Sequence, residues 1–148
     1  VRFVRALPPS LSVRIVTVAV DVAAAALDHP LAEVVMLGGR LGRLTRGVTG
    51  VAAGDAIRGL RADYCILGTC GIDRDLTLRA DDYEDAHLKS AMIRAAGKTL
   101  LLATADKLGQ ASTYEVAPMS AVSTLFTDSR DMAILDAIRA AGVDVQTV

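Results

Sequence analysis

Short apolar runs alternate with helix-like segments along the whole of this chain. The runs predict β-strands over residues 13–17, 33–37, 63–67, 99–103, 123–126 and 143–145. Strands that are buried on both faces are continuously apolar in this way, whereas strands with one wet face alternate apolar and polar residues. The stretches between the runs predict helices over residues 21–28, 51–60, 82–96 and 131–140. Strands that alternate with helices are typical of βαβ units, so the pattern predicts an α/β fold with an open, mainly parallel sheet flanked by helices.

Glycines mark the ends of several predicted elements. Gly38 and Gly68 each follow a strand, and Gly97 and Gly142 are the expected stop signals of the helices that precede them. The last helix shows clear helical periodicity, with one apolar face formed by Ile134, Leu135, Ile138 and Ala141. The predicted elements therefore rest on both periodicity and turn signals.

Composition narrows the class of protein. Of the 148 residues, 52% are hydrophobic and 22% are charged, and the formal net charge is −1. These values predict one folded domain over residues 1–148 and exclude a disordered tail. They also argue against DNA binding by this chain alone, because phosphate contacts need an excess of Lys and Arg. The longest stretch without a charged residue, 116–127, is far shorter than the ~20 residues of a membrane span, so we expect a cytoplasmic protein that does not bind a membrane.

The cysteines and the first residues add two expectations. Cys65 and Cys70 are too few for a disulfide framework and have no neighbours at metal-ligand spacing, so we expect a reducing cytosol and no metal site. We expect no cofactor either. Residues 1–7 have the pattern of the end of a helix, which Pro8 and Pro9 stop. We therefore expect the natural protein to continue upstream.

A glycine- and arginine-rich loop follows the second predicted strand, over residues 38–47. In open α/β sheets, ligands bind beyond the carboxyl ends of the strands, which is where this loop lies. Glycines let backbone N–H groups approach an anion, and guanidinium groups bind phosphate through two hydrogen bonds. The sequence leaves two interpretations open, an anion-binding loop and a solvated turn.

Charged residues after two later strands are further candidates. Asp73 follows a strand that ends at a glycine, and Glu84 heads an apolar stripe on the next helix. Such a carboxylate points toward the core or a cleft, or it simply suits the first turn of a helix. Lys89 lies four residues after Asp85, at the spacing of a surface ion pair. Lys107 follows another strand and is either an anion ligand or an ordinary loop lysine.

The ordered set of motifs is more specific than any one of them. It comprises a strand ending at Thr17, Gly38-Gly39, the segment Gly68 to Asp73, Glu84 with Lys89, the segment Leu101 to Gly109, and Leu125 to Asp128. In this order and spacing the chain resembles the C-terminal effector-binding domain of the DeoR family of bacterial transcriptional regulators. The resemblance covers nearly the whole chain.

This resemblance implies both a fold and a function. The implied fold is similar to that of ribose-5-phosphate isomerase and related sugar-phosphate isomerases. The implied function is to sense a small phosphorylated sugar or related metabolite without catalysis. DNA binding is implied only through an upstream winged helix-turn-helix domain, which this chain lacks. Because regulator dimers match two-fold operator half-sites, we also expect a homo-oligomer.

Carried over position by position, the resemblance also implies a set of ligand-binding residues. These are Thr17, Gly38, Gly39, Arg40, Gly71, Ile72, Asp73, Glu84, Lys89 and Lys107. The chain departs from the family pattern in three places. Val18-Ala19 replaces the usual Asn-Ser, Thr104 replaces the usual Asp before Lys107, and Asp75 stands near a usual glycine.

Two other functions stay open at the level of sequence. One is a sugar-phosphate isomerase that uses Asp73 and Glu84 as acid and base, although no complete catalytic set is readable. The other is a dimerisation module with a vestigial pocket, which the three departures from the family pattern favour.

Overall fold

The chain divides into two units, Val1–Ala56 and Ile57–Val148, which we call the N-terminal and C-terminal units. The structure is a computed structural model that describes all residues from Val1 to Val148. Each unit has parallel strands joined through helices, so the predicted α/β class is confirmed.

The N-terminal unit is built on a two-stranded parallel sheet. Its elements are α1 (Arg2–Arg5), β1 (Val13–Thr17), α2 (Val20–Leu27), β2 (Ala32–Met36), β3 (Arg40–Leu41) and β4 (Val48–Thr49), and α3 (Val51–Arg58) begins here. β1 and β2 pair in parallel, with Val13 opposite Ala32, and β3 and β4 form an antiparallel hairpin. A small cluster of Val4, Ala25 and Ala26 packs against the sheet and α2.

The C-terminal unit carries a four-stranded parallel sheet and a smaller antiparallel one. Its elements are β5 (Ala62–Gly68), β6 (Gly71–Ile72), β7 (Thr77–Ala80), α4 (Tyr83–Ala95), β8 (Ala96–Leu102), β9 (Tyr114–Pro118), β10 (Thr124–Thr127), α5 (Met132–Ala140) and β11 (Asp144–Thr147). The parallel sheet has the order β11-β10-β8-β5, and the antiparallel sheet has the order β6-β7-β9. Consecutive parallel strands are therefore neighbours, so the ends of β5, β8 and β10 come together at one edge.

The core of the C-terminal unit consists of residues from both sheets and from the helices. Leu101 on β8 and Leu125 on β10 are fully buried, as are Ile72 and Leu78 in the antiparallel sheet and Ile138 on α5. The predicted apolar face of α5 is confirmed, since Leu135 and Ile138 are its buried residues.

The ends of α5 show how sequence signals fix an element. Asp131 caps the start of the helix, because its Oδ1 accepts a hydrogen bond from the N–H of Ala133 at 3.1 Å. Gly142 follows the end of the helix with φ of +89°, a left-handed conformation that favours glycine. Gly142 is thus the stop signal that the sequence predicts, and the helix begins next to its predicted first residue, Asp131.

Gly97 does not stop a helix, so that prediction was wrong. The helix α4 ends at Ala95, and Ala96 already has extended dihedral angles, φ −109° and ψ 149°. Gly97 is the second residue of β8, and a Cβ at this position would lie 3.4 Å from the backbone oxygen of Asp63. That distance is an ordinary van der Waals contact, so a side chain would fit here, and Gly97 makes no turn.

Five strands were not predicted from the sequence at all, and the longest of them is β9, with five residues. The hairpin β3–β4 has two residues in each strand, and β6 also has only two. β7 alternates half-buried and buried residues, as a strand with one wet face does, and is only four residues long. An apolar pattern over so few residues cannot be distinguished from the pattern of a loop.

None of the helices combines the length and the apolar composition that crossing a membrane requires; the longest, α4, has 13 residues.

Candidate functional site

A cleft opens at the edge of the parallel sheet where β5, β8 and β10 end. Its volume is about 420 Å³, within the ~300–1,000 Å³ of small-molecule sites. It is lined by Gly68, Thr69, Leu102, Ala103, Thr104, Lys107, Phe126, Thr127, Asp128 and Val148. The cleft therefore lies where the rule for ligand sites in open α/β sheets predicts one.

The polar side of this cleft is built on a short 3-10 turn, Ala105–Lys107, directly after β8. The Oδ1 of Asp128, which follows β10, accepts a hydrogen bond from the N–H of Ala105 at 2.6 Å. The hydroxyl of Thr104 donates to Oδ1 of Asp106 at 2.5 Å. These bonds fix the turn between two strand ends, and they place Lys107 on the cleft wall.

Lys107 is held by an ion pair with its neighbour. Its Nζ lies 3.0 Å from Oδ2 of Asp106, and its side chain is 40% exposed. The hydrogen bond with Asp106 raises the pKa of Lys107, and the negative charge of Asp106 acts in the same direction. The hydrogen bond from Thr104, followed by that from Lys107, lowers the pKa of Asp106. Both groups are charged at neutral pH, so the cleft offers an ammonium donor together with the carboxylate of Asp128.

Gly71 and Ile72 lie beside the Lys107 loop and support it through the backbone. The N–H of Gly109 donates to the oxygen of Ile72 at 2.8 Å, and Ile72 forms a parallel bridge with Leu108. A Cβ on Gly71 would collide with the backbone oxygen of Gln110. The structure therefore brings these two predicted residues together with Lys107, although neither lines the cleft.

Asp73 lies outside the residues that line the cleft and is paired elsewhere. Its Oδ2 lies 3.5 Å from Nε of Arg79, whose Nη2 donates to Asp75 at 3.0 Å. The hydrogen bonds of Thr77 lower the pKa of Asp75. Asp75, one of the departures from the family pattern, thus helps to hold Arg79 in this group.

Glu84 and Lys89, on α4, also lie outside the cleft lining. Glu84 occupies the first turn of the helix, and Lys89 forms the ion pair that its spacing predicts, with Nζ 2.6 Å from Oδ2 of Asp85. The role of these two residues in ligand binding stays a prediction.

The remaining predicted residues belong to the N-terminal unit. The Oγ1 of the buried Thr17 accepts a hydrogen bond from the N–H of Ala19 at 3.1 Å. Gly38 follows β2, and Arg40 begins β3 as an exposed residue. Gly39 has φ of +153°, and a Cβ there would lie 2.6 Å from Cγ1 of Val48, so only glycine fits.

Four polar residues that line the cleft were not predicted as ligand-binding residues: Thr69, Thr104, Thr127 and Asp128. The hydroxyl of Thr69 points at the backbone oxygens of Gly71 and Arg79, at 2.9 and 3.1 Å. Asp128 directly follows β10, so the rule for strand ends would have found it if applied to that strand.

Comparison with known proteins identifies the family. Residues 1–129 match the model of the DeoR C terminal sensor domain. The chain belongs to this family. The match ends before α5 and β11, so the last strand of the parallel sheet lies beyond it.

Curated relatives of this DeoR sensor domain are transcriptional regulators. It is 30% identical over 118 residues to the glycerol-3-phosphate regulon repressor of Escherichia coli K12, which is 80% of this chain and 47% of that protein. It is 34% identical over 114 residues to the glycerol-3-phosphate regulon repressor of Haemophilus influenzae, 77% of this chain and 44% of that protein. It is 31% identical over 114 residues to the transcriptional regulator GlpR of Haloferax volcanii, 76% of this chain and 45% of that protein. The chain spans about half the length of these relatives.

The polar groups of the cleft in the DeoR sensor domain can be compared with the ligand sets that metal ions need. No group of three or more His, Cys, Asp and Glu residues is placed to hold a metal. The cleft offers instead one ammonium, one carboxylate and threonine hydroxyls, which are groups that bind oxygen-rich organic molecules.

Proposed function

We propose that this chain is the part of a DeoR-family transcriptional regulator that binds a small phosphorylated metabolite in the cleft at the ends of β5, β8 and β10. The observation that carries the proposal is that Lys107 and Asp128 lie on the wall of one cleft, at the topologically expected edge of the sheet. The names of two relatives, which refer to a glycerol-3-phosphate regulon, support a phosphorylated small molecule as the ligand.

The two charged residues have complementary roles in this proposal. The ammonium of Lys107 donates hydrogen bonds to oxygens of the ligand, and the oxygen of Asp128 that Ala105 does not engage accepts hydrogen bonds from its hydroxyl groups. Lys107 remains paired with Asp106, so it contributes a positioned donor more than a net positive field. A ligand that carries both hydroxyls and an anionic group fits this pair.

Binding acts on DNA through the rest of the regulator. A ligand shifts a conformational equilibrium only as far as its affinities for the two states differ. We propose that the state favoured by the ligand changes the DNA affinity of an upstream domain, and that the regulator works as a homo-oligomer on two-fold sites.

We also propose that the domain does not catalyse isomerisation. The carboxylate of Asp73, the candidate acid or base, is engaged by Arg79 and does not line the cleft. Sugar-phosphate isomerisation by the purified chain should therefore stay at background. Turnover that Asp73→Asn or Glu84→Gln abolishes would establish the isomerase function instead.

The binding proposal is tested by calorimetry and thermal unfolding with glycerol 3-phosphate, glucose 6-phosphate and fructose 6-phosphate, each compared with its unphosphorylated parent. Ligand at ~100 times its dissociation constant should stabilise the fold by ~2.7 kcal/mol. For a chain of this size, the midpoint should then rise by roughly 5–11 °C.

Two lysine variants make the test specific to the cleft. Lys107→Ala should weaken binding by roughly tenfold to a hundredfold, because it removes a charge-assisted hydrogen bond. Lys98→Ala is the matched control, since Lys98 is an exposed lysine near the opposite end of β8. Equal affinities of the two variants would contradict the placement of the site, and a failure of every phosphorylated compound to bind more tightly than its parent would contradict the ligand class.

A further inference from the structure

The N-terminal unit has a cleft of its own, and the proposed function does not use it. The volume of this cleft is about 290 Å³, and it is lined by Val20, Leu41, Gly42, Arg43 and Arg46. That volume lies near the lower end of the ~300–1,000 Å³ of small-molecule sites. Two of the five lining residues are arginines, so the charge of the lining favours an anion.

The loop that carries both arginines is fastened to the turn between β1 and α2. The N–H of Val20 donates to the oxygen of Arg46 at 3.0 Å, and the N–H of Val48 donates to the oxygen of Val18 at 2.7 Å. Arg46 has φ of +50°, in the left-handed region that residues with a side chain rarely adopt. These bonds hold that conformation, so the position of Arg46 is built into the fold of the loop.

The guanidinium of Arg46 already binds a carboxylate. Its Nε donates to Oδ2 of Asp21 at 2.7 Å, and its Nη2 donates to Oδ1 at 2.6 Å. This two-bond geometry is the one in which arginine binds phosphate. The side chains are 60% and 48% exposed, so a small anion in water can reach the pair.

Two other charged groups lie near Arg46, the carboxylate of Asp21 and the guanidinium of Arg43, and only the first has a partner. The hydrogen bonds from Arg46 lower the pKa of Asp21, so its carboxylate is ionised at neutral pH. Arg43 is exposed and has no hydrogen-bond or ion-pair partner. The cleft thus contains one engaged and one unengaged guanidinium.

We propose that Arg43 and Arg46 form a phosphate site within the N-terminal unit alone, that this site binds the phosphate group of a small phosphate monoester, and that Asp21 occupies it as an internal competitor when no such ligand is bound. Asp21 contributes one negative charge, whereas a phosphate monoester carries ~1.5–2 at pH 7 and has three acceptor oxygens. A phosphate monoester therefore displaces the carboxylate, and a monoanion such as acetate does not. The competitor makes the phosphate site selective for phosphate over carboxylate ligands.

This inference rests on the proposed function in taking a phosphorylated metabolite as the ligand, but its test does not need the identity of that metabolite. The probes are inorganic phosphate and acetate at pH 7.5, added to the ¹⁵N-labelled chain, and the readout is the amide shifts of Gly42 and Gly47. In the unmodified chain, phosphate should shift these signals with saturation, and acetate should not.

Asp21→Asn removes the competitor and is the decisive variant. It should bind phosphate about tenfold more tightly and should begin to bind acetate. Glu33→Gln is the matched control, because Glu33 forms another arginine–carboxylate pair in this unit, with Arg14 at 2.8 Å, and does not line the cleft. Asp21→Asn that binds phosphate no more tightly than Glu33→Gln would overturn the inference.

Two arginine variants keep the test sound if Asp21→Asn fails to fold. Arg46→Ala should abolish the saturable phosphate shifts, and Arg43→Ala should weaken phosphate binding without touching the Asp21 pair. Unchanged binding in Arg43→Ala would also overturn the inference.

The experiments distinguish a failure of the proposed function from a failure of the phosphate site at Arg43 and Arg46. A null result for Lys107→Ala alongside tighter phosphate binding in Asp21→Asn removes the C-terminal cleft as the effector site and leaves the phosphate site standing. The reverse pair of results removes the phosphate site and leaves the proposed function standing.

Discussion

The N-terminal and C-terminal units both pair parallel strands through a helix, but they bury very different side chains. The largest fully buried side chains of the chain all lie in the C-terminal unit, including Leu101, Leu125 and Ile138. The buried apolar residues of the N-terminal unit are mostly alanines, among them Ala25 and Ala26. Buried leucine and isoleucine contribute far more to stability than alanine, so the comparison indicates a firm C-terminal scaffold and a more easily opened N-terminal unit.

The two units also hold their charges differently. Around Lys107, the ion pair is supported by Thr104 and by the bond from Ala105 to Asp128. In the N-terminal unit, Arg46 and Asp21 lie half-exposed and are connected mainly to each other. A charged group with several partners is positioned for a fixed contact, whereas a pair in water exchanges partners readily. The difference indicates that Lys107 offers a fixed contact in the C-terminal cleft, whereas the Arg46–Asp21 pair in the N-terminal cleft can be displaced.

The largest effect should come from a cavity in the C-terminal core. Leu101→Ala should lower the free energy of unfolding by ~2–5 kcal/mol, since Leu101 is fully buried and lies on β8, an interior strand of the sheet. Leu44→Ala, at a leucine that is 99% exposed in the N-terminal unit, should change it by less than ~0.5 kcal/mol. Urea unfolding measures both, and similar values for the two variants would remove the contrast between the units.

The rate at which a buried thiol is alkylated measures how easily the core around it opens, so it can be compared between the two units. Burial raises the pKa of Cys65 on β5 to about 11, so at pH 8 its thiolate fraction is roughly a hundredfold below that of a thiol with a pKa near 9. A thiol introduced by Ala25→Cys is buried as well, so the two rates differ only as far as the two cores open differently. Because the alanine-rich N-terminal core should open more easily, Cys65 in the Cys70→Ala background should be alkylated at least ~tenfold more slowly than the thiol of Ala25→Cys. Equal rates by mass spectrometry would show that the two cores open together.

The same thiol predicts the direction of a pH effect. Unfolding returns Cys65 to its ordinary pKa near 9, so the unfolded chain loses this proton first as the pH rises. The free energy of unfolding should then fall between pH 9 and about 11. Cys65→Ala should show a smaller fall over this window in denaturant titrations, and an identical fall would contradict the assignment to Cys65.

A smaller effect should come from the cap of α5. Asp131→Ala should destabilise the chain by ~0.5–2 kcal/mol, because it removes the acceptor for the N–H groups of Ala133 and Ile134. Asp136→Ala is the control, since Asp136 pairs only with the exposed Arg139. A loss in the control as large as that in Asp131→Ala would contradict the role of the cap.

The smallest effect should come from the surface pair of the N-terminal unit. Glu33→Gln removes an ion pair whose side chains are 67% and 59% exposed, and it should cost at most ~1 kcal/mol. The cost should shrink further in 0.5 M salt, which screens exposed charges. Thermal unfolding at two salt concentrations checks this, and a large salt-independent loss would mean that the N-terminal unit depends on this pair.

Local patterns in the sequence determined most of the scaffold. The strands β1, β5, β8, β10 and β11 and the helices α2, α4 and α5 all lie within a few residues of their predicted positions. This succeeds because burial on both faces forces continuous apolar runs, and a helix packed on a sheet forces an apolar stripe. Asp131 and Gly142 act within one turn of their own positions, so their roles could also be predicted.

Tertiary structure alone decided the details of both clefts. Asp128 binds the N–H of Ala105, 23 residues away, and Arg46 binds Asp21, 25 residues away. Gly97 has the local signal of a helix stop, yet the pairing of β8 with β5, in which Ala96 lies opposite Ala62 and Lys98 opposite Tyr64, places it in a strand. The physical reason is the same in each case: periodicity and turn signals report on a residue's chain neighbours, whereas these contacts depend on which backbone segments the folded sheets bring within hydrogen-bonding distance.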